Sequence, residues 1–167
     1  GWRAGCALTR VSVCVWRKLR SGGASSTFWL GAERAWSGER NAKANIQWSN
    51  GQIYWDTAGC CDGRTTRVNR SWAGGLGKWH HFVFLKDGDR KAIYIDGELF
   101  HEGNNNARLK ADWSVAAIGS NNVGGTNVAA VVDEFAVFAS ALTEEEILRL
   151  ANGAKPTGLG ERTGVVD

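Results

Sequence analysis

The stretch Trp79–Phe100, WHHFVFLKDGDRKAIYIDGELF, constrains the fold more than any other part of the chain, because it holds two strands and two tight turns in close succession. Valine, isoleucine, phenylalanine and tyrosine crowd both runs, as pleated, half-buried surfaces require. Asp87-Gly88 and Asp96-Gly97 supply the backbone freedom of hairpin turns. With Gly88-Asp89-Arg90 as the loop, Asp87 opposes Lys91. Val83 and Leu85 then share an aliphatic face with Ile93 and Ile95, while Phe82, Phe84 and Tyr94 share the other. Both faces are apolar, so both are expected to be covered.

A second hairpin is expected over Ala44–Asp56, where Asn50-Gly51 separates two alternating runs. A two-residue turn sets Trp48 opposite Ile53 and Ile46 opposite Trp55, which gives those four a core face. Asn45, Gln47, Tyr54 and Asp56 fall on the opposite, wet face. Val11–Trp16 alternates as a strand, Thr27–Gly31 reads as a short one, and Thr66–Val68, Val115–Gly119 and Ala129–Phe138 supply others. Thr143 followed three residues later by Glu146 forms a capping box, with Ile147, Leu150 and Ala151 as an apolar stripe and Gly153 as the stop. This is the one helix expected. Ala154–Asp167 reads as a polar tail or linker.

The Trp79–Phe100 stretch resembles the W-H-x-[VF]-x-x-x-x-D-G and Y-[VI]-D-G signature of the LamG-like jelly roll, in the concanavalin A-like lectin/glucanase group. Downstream, Ala117-Ile118-Gly119, Val132-Asp133-Glu134-Phe135 and Ala141-Leu142-Thr143-Glu144-Glu145-Glu146-Ile147 resemble that family's closing pattern. The matches cover residues 79–152, and residues 1–78 follow the family more loosely. The resemblance implies an all-β fold, a two-sheet antiparallel jelly-roll sandwich with one short C-terminal helix. Residues 1–153 form that domain and 154–167 lie beyond it.

Such modules bind glycans, bind proteins or space other domains, so the fold alone does not name a function. The first reading is a non-catalytic, extracellular or cell-surface module of a larger protein that binds a glycan or another surface ligand. The alternative is a structural or cell-adhesion domain that contacts protein. A glucanase is the third. That activity needs two carboxylates flanking the scissile bond, and no E-x-D-x-E or E-x-D-x-x-E run occurs. Asp133-Glu134 are neighbours on a strand and point to opposite faces. His80-His81 diverge in the same way and read as structural.

Sugar faces lie on aromatic planes while amides and charged groups meet the hydroxyls. Of nine tryptophans, Trp16, Trp48, Trp55 and Trp79 fall on strands and are expected to pack. Tyr54, Gln47, Asp56 and Asn45, with Trp36, Arg34 and Trp72, make up the candidate carbohydrate site. Related jelly rolls often hold calcium, and the cation wants six to eight oxygens. Asp133, expected to be buried between Val131 and Phe135, is the candidate ligand with Asn121 and Asn122. A buried arginine or backbone N–H groups would serve that carboxylate equally well.

Four cysteines, Cys6, Cys14, Cys60 and Cys61, permit three complete pairings. Cys60 and Cys61 close on each other only as a vicinal disulfide, and a bridge from their loop to Cys6 or Cys14 is the more ordinary geometry. At least one disulfide and an oxidising compartment are expected. The net charge of +3 is too mild for a nucleic-acid binder. Arg3, Arg10, Arg17, Lys18 and Arg20 precede the first acid, Glu33, and read as a solvated edge strand. No run of about 18 apolar residues exists to span a membrane. The sequence contains no methionine, so the chain is expected to be a piece of a longer protein with neighbouring domains.

Overall fold

A computed structural model describes residues 9–21, 23, 25–32, 40–61, 66–121 and 127–159 of the chain. Ten strands form two five-stranded antiparallel sheets. In chain order they are β1 Arg10–Leu19, β2 Phe28–Gly31, β3 Ala42–Asn45, β4 Gln52–Thr57 and β5 Arg67–Ser71, then β6 Trp79–Asp87, β7 Arg90–Ile95, β8 Glu98–Asn104, β9 Val115–Ile118 and β10 Ala130–Phe138. One sheet runs β10-β1-β6-β7-β8 and the other β5-β4-β3-β2-β9, the arrangement of a jelly-roll sandwich.

The central hairpin forms with a register one residue tighter than the sequence reading. Asp87 pairs with Arg90 rather than Lys91, and Phe84 with Ile93. The turn is therefore Gly88-Asp89, with Gly88 at φ 59°. A two-residue turn of this kind matches the twist of the strands it joins better than a three-residue loop does. The correction re-sorts the faces. Phe82, Phe84 and Ile93 enter the core between the sheets, whereas Tyr94 joins Val83, Leu85 and Ala92 on the outer face.

Both faces are covered. Outside, α1, Glu144–Ala151, lays Ile147 and Leu150 on Val83, Leu85 and Tyr94. Its capping box is complete, with the Thr143 hydroxyl accepting from Glu146 N–H and the Glu146 carboxylate accepting from Thr143 N–H. Buried Ser12 fixes the approach to the helix, donating to the Ser140 carbonyl and accepting from Leu142 N–H. Beyond α1, Pro156–Leu159 form a 3-10 turn whose Leu159 packs beneath the same cluster.

Two further expectations change. Strand β1 is interior, between β10 and β6, so its basic run is not a solvated edge, and Arg17 is buried. The tip of the β3–β4 hairpin is longer than two residues. Asn45 pairs with Tyr54 and Ala44 with Trp55, yet Trp48 N–H already donates to Gln52 O. Ile46 and Gln47 thus stand opposite Ile53 alone, an extra residue of the bulge kind that puts the tip one step out of phase. Ile46, Ile53 and Trp55 stay in the core, while Trp48 leaves it for the face of Tyr54.

Candidate functional site

The outer face of β3 and β4 is built by simple alternation. Ala42 and Ala44 face the core, so Lys43 and Asn45 face away from it, and across the ladder Tyr54 and Asp56 do the same. With Trp48 swung to this side, a cleft of about 300 Å³ opens between these residues, Arg40, Arg67 and the Cys60-Cys61 turn.

Its floor is a charged knot. Asp56 is fully buried, and its carboxylate accepts from Arg67 Nε at 2.6 Å, Arg67 Nη2 at 2.8 Å and Arg40 Nη1 at 3.0 Å. Two guanidinium groups around one carboxylate satisfy it with charge-assisted, partly bidentate bonds. Arg67 then lies over the Tyr54 ring, Cζ 4.3 Å from its centroid, and its Nη2 approaches the Cys61 sulfur at 3.6 Å. The Tyr54 hydroxyl accepts from Asn50 Nδ2 at 2.6 Å.

The open wall is Trp48 and Lys43. Trp48 meets Tyr54 edge to face, with centroids 6.5 Å apart, and the Lys43 ammonium stands 5.6 Å from the Trp48 centroid. Lys43 has no hydrogen bond or ion pair among the described residues. Partial burial first, then repulsion from Arg40, pushes its pKa down to about 8 against the attraction of Asp56. The cleft therefore offers an indole plane, an unpaired ammonium and the edge of a guanidinium side by side, a combination that suits a ring bearing hydroxyl groups.

Of the residues selected from sequence, Asn45, Tyr54 and Asp56 come together here. Asn45 is buried and donates to the Ser25 carbonyl at 2.9 Å, and Tyr54 has one ring face under Arg67, so both shape the wall. Gln47 donates to Trp72 O at 2.7 Å, outside the cleft. Trp72 itself packs on His80 and Phe82. Arg34 and Trp36 lie outside the described residues. Lys43, Trp48, Arg40 and Arg67 were not selected. The A-K-A-N alternation carried the signal for Lys43, whereas the sequence carries no local mark of the extra residue that turns Trp48 outward.

Asp133 is exposed rather than buried, because β10 breaks register against β1 at this point and Glu134 takes φ 49°. Its Oδ1 accepts from Glu134 N–H, and Glu134 pairs with Lys155. Among the described residues no three His, Cys, Asp or Glu side chains converge as a cation set. Asn121 is a half-buried loop residue, and Asn122 is outside the described residues. Trp16 and Trp79 line a separate cavity of about 370 Å³ beside Asp133, with Trp79 42% exposed, so neither is the core residue expected.

The disulfide is not the more ordinary bridge expected from the Cys60-Cys61 loop. Cys60 and Cys61 are bonded to each other, which removes a bridge from their loop to Cys14. Cys14 is free and buried, and burial pushes its thiol up to about 11. Cys6 is outside the described residues.

Two five-stranded antiparallel sheets packed face to face, one carrying an aromatic and basic cleft, define a jelly-roll sandwich of the lectin and glucanase type. Residues 5–148 match the model of the Concanavalin A-like lectin/glucanases superfamily, Laminin_G_3, and the chain belongs to that superfamily. No curated protein sequence gives a significant match.

Among solved structures, the heptameric SAP-like pentraxin from Limulus polyphemus superposes with a TM-score of 0.66 at 20% identity, covering 90% of this chain and 74% of that one. Domain 4 of AbnA, an extracellular arabinanase from Geobacillus stearothermophilus solved with arabinotriose, gives 0.64 at 21% identity, covering 86% and 66%. The botulinum neurotoxin serotype D binding domain gives 0.64 at 16% identity over 87% of this chain, which spans 37% of that domain. At such identities the likeness is one of fold.

Proposed function

We propose that this chain is a non-catalytic, extracellular carbohydrate-binding module of a larger protein, with its ligand seated in the cleft of Trp48, Lys43, Tyr54 and Arg67. The carrying observation is the Trp48 plane with a lysine ammonium near it that makes no hydrogen bond or ion pair among the described residues. The indole faces the apolar side of a pyranose or furanose ring, and Lys43 and Arg67 donate to its oxygens. That a domain of this fold has been solved with arabinotriose supports the same use here.

Among the described residues the cleft holds no acid pair, which supports a binding role over a glucanase one. Asp56 is the one carboxylate at the cleft floor among the described residues, and both its oxygens are held by arginines. Its oxygens are already occupied by guanidinium donors, and glycoside hydrolysis needs two carboxylates facing the scissile bond. A half-enclosed apolar groove of about 320 Å³, lined by Leu30, Trp113, Ile118 and Phe135 between the edges β9 and β10, favours the second reading, an adhesion domain that contacts protein. Paired Cys60 and Cys61 favour an oxidising compartment. No helix among the described residues is long and apolar enough to cross a membrane.

A glycan array probed with the 167-residue chain, with and without EDTA, tests the proposal. Binding unchanged by EDTA means that recognition needs no chelatable cation. Binding lost with EDTA assigns a required divalent cation, with Asp133, Asn121 and Asn122 as the residues to vary. An array without a bound glycan favours the adhesion reading.

A further inference from the structure

Arg17 is 3% exposed and lies on the interior strand β1, in phase with Val13 and Val15 of the intersheet core. Its Nε and Nη1 are buried without a hydrogen-bond partner. Beside it is a cavity of about 90 Å³ walled by Ser21, Gly23, Ser25, Asn127 and the backbone of Val128–Ala129. Among the described residues the charge has no local answer. Burial alone acts on this guanidinium, pushing it down to about 10, with no charged neighbour opposing or adding to the effect. In the sequence, neither residues 19–32 nor residues 114–132 include an aspartate or glutamate.

A guanidinium stays protonated even here, and an uncompensated buried charge costs several kcal/mol. Its planar fork of N–H donors can meet a carboxylate with two parallel bonds, and its positive charge attracts a halide. We propose that Arg17 is the base of an anion site, in which this partly open cavity takes one small monovalent anion, a halide or a carboxylate, at the buried guanidinium.

Size and lining agree with that class. At roughly 30 Å³ per water, the space holds about three water-sized species, which is enough for a chloride with residual water or for one carboxylate group. It is too small for a sugar ring, so this site is separate from the Trp48 cleft. The bound anion joins the segment leading to β2 to the one leading into β10, where Arg20 and Ser21 N–H already reach the Ala129 carbonyl.

The test is thermal unfolding of the 167-residue chain in sodium chloride, sodium acetate and sodium isethionate at one ionic strength. The expected result is a saturable rise of several degrees in the midpoint with chloride or acetate, absent in isethionate and absent from Arg17→Met in every salt. A larger effect of chloride marks a free halide as the occupant, and a larger effect of acetate marks a carboxylate. Identical midpoints in the three salts, or the same anion dependence in Arg17→Met, overturn the proposal. If Arg17→Met does not fold, NMR on the unaltered chain decides. Excess chloride-35 line width displaced by bromide, or saturation transfer to acetate, supports the site, and the lack of both overturns it.

Discussion

Arg67 grips Asp56 through two bonds, Nε to Oδ1 at 2.6 Å and Nη2 to Oδ2 at 2.8 Å, while the face of the same guanidinium lies on Tyr54. One buried acid therefore sets the position of the cleft's main cation. Asp56→Asn leaves Arg40 and Arg67 facing each other with the attraction gone. Breaking a buried pair from one side costs about 3–5 kcal/mol. Urea unfolding should show a loss of that order, and a change below about 1 kcal/mol would mean that solvent already screens the knot.

The two tryptophans of the β3–β4 hairpin should fail in different ways. Trp55 is fully buried against Phe28 and Phe84, donates to Leu85 O at 3.0 Å and lies under the Lys91 ammonium. Trp55→Ala empties a core site and should cost about 3–5 kcal/mol. Trp48→Ala removes an edge contact with Tyr54 worth about 1 kcal/mol and should leave a folded domain. Paired denaturation curves check this, and a reversed order would restore the register in which Trp48 is core.

How far the sequence led depends on whether a signal was local. The D-G turns, the capping box at Thr143 and Glu146, and the alternation of β1, β4 and β6 are written in adjacent residues, and the sandwich was implied by the family resemblance of the motifs they belong to. The site was half legible. Tyr54, Asp56 and Asn45 were placed on the right face by period two, but Trp48 was not, because one unpaired residue in a hairpin shifts everything beyond it. Arg17 was misread for a different reason. Basic composition marks solvent only on average, and the pairing of β1 with both β10 and β6, decided more than 60 residues away, is what buries it.

His81 makes acid stability testable. It is buried against Trp16, with ring centroids 5.2 Å apart, and burial outweighs the pull of Asp96 to push it down to about 4. Between pH 6.5 and 4 the unfolded chain takes up a proton that the folded chain refuses. Stability is therefore full above about 6.5 and falls as pH drops through this window, by up to about 3 kcal/mol. Unfolding free energy measured from pH 7 to 4 should show the slope, and His81→Phe should flatten it. An equal slope in the variant would assign acid loss to the carboxylates instead.

Lys43 gives the cleft an alkaline limit. Arg40, Arg67 and Asp56 are the charged groups facing it, and with its pKa near 8 it is cationic at pH 7 and neutral by about pH 9.5. Affinity for a glycan that accepts from this ammonium should fall as pH rises through 8. Lys43→Gln should bind more weakly at pH 7 and lose the pH dependence, as read by titration calorimetry. A flat profile in the unaltered chain would take Lys43 out of the contact.

The most direct test of the cleft as a glycan site is a titration of the strongest array ligand against the unaltered chain, Trp48→Ala and Trp79→Ala. The account predicts that both variants keep the melting profile of a folded domain, that Trp48→Ala loses at least about tenfold in affinity, the equivalent of about 1.4 kcal/mol, and that Trp79→Ala, in the other cavity, binds as the unaltered chain does. Full affinity in Trp48→Ala, with the loss appearing in Trp79→Ala, would contradict it and move the site to the cavity of Trp16, Trp79 and Asp133.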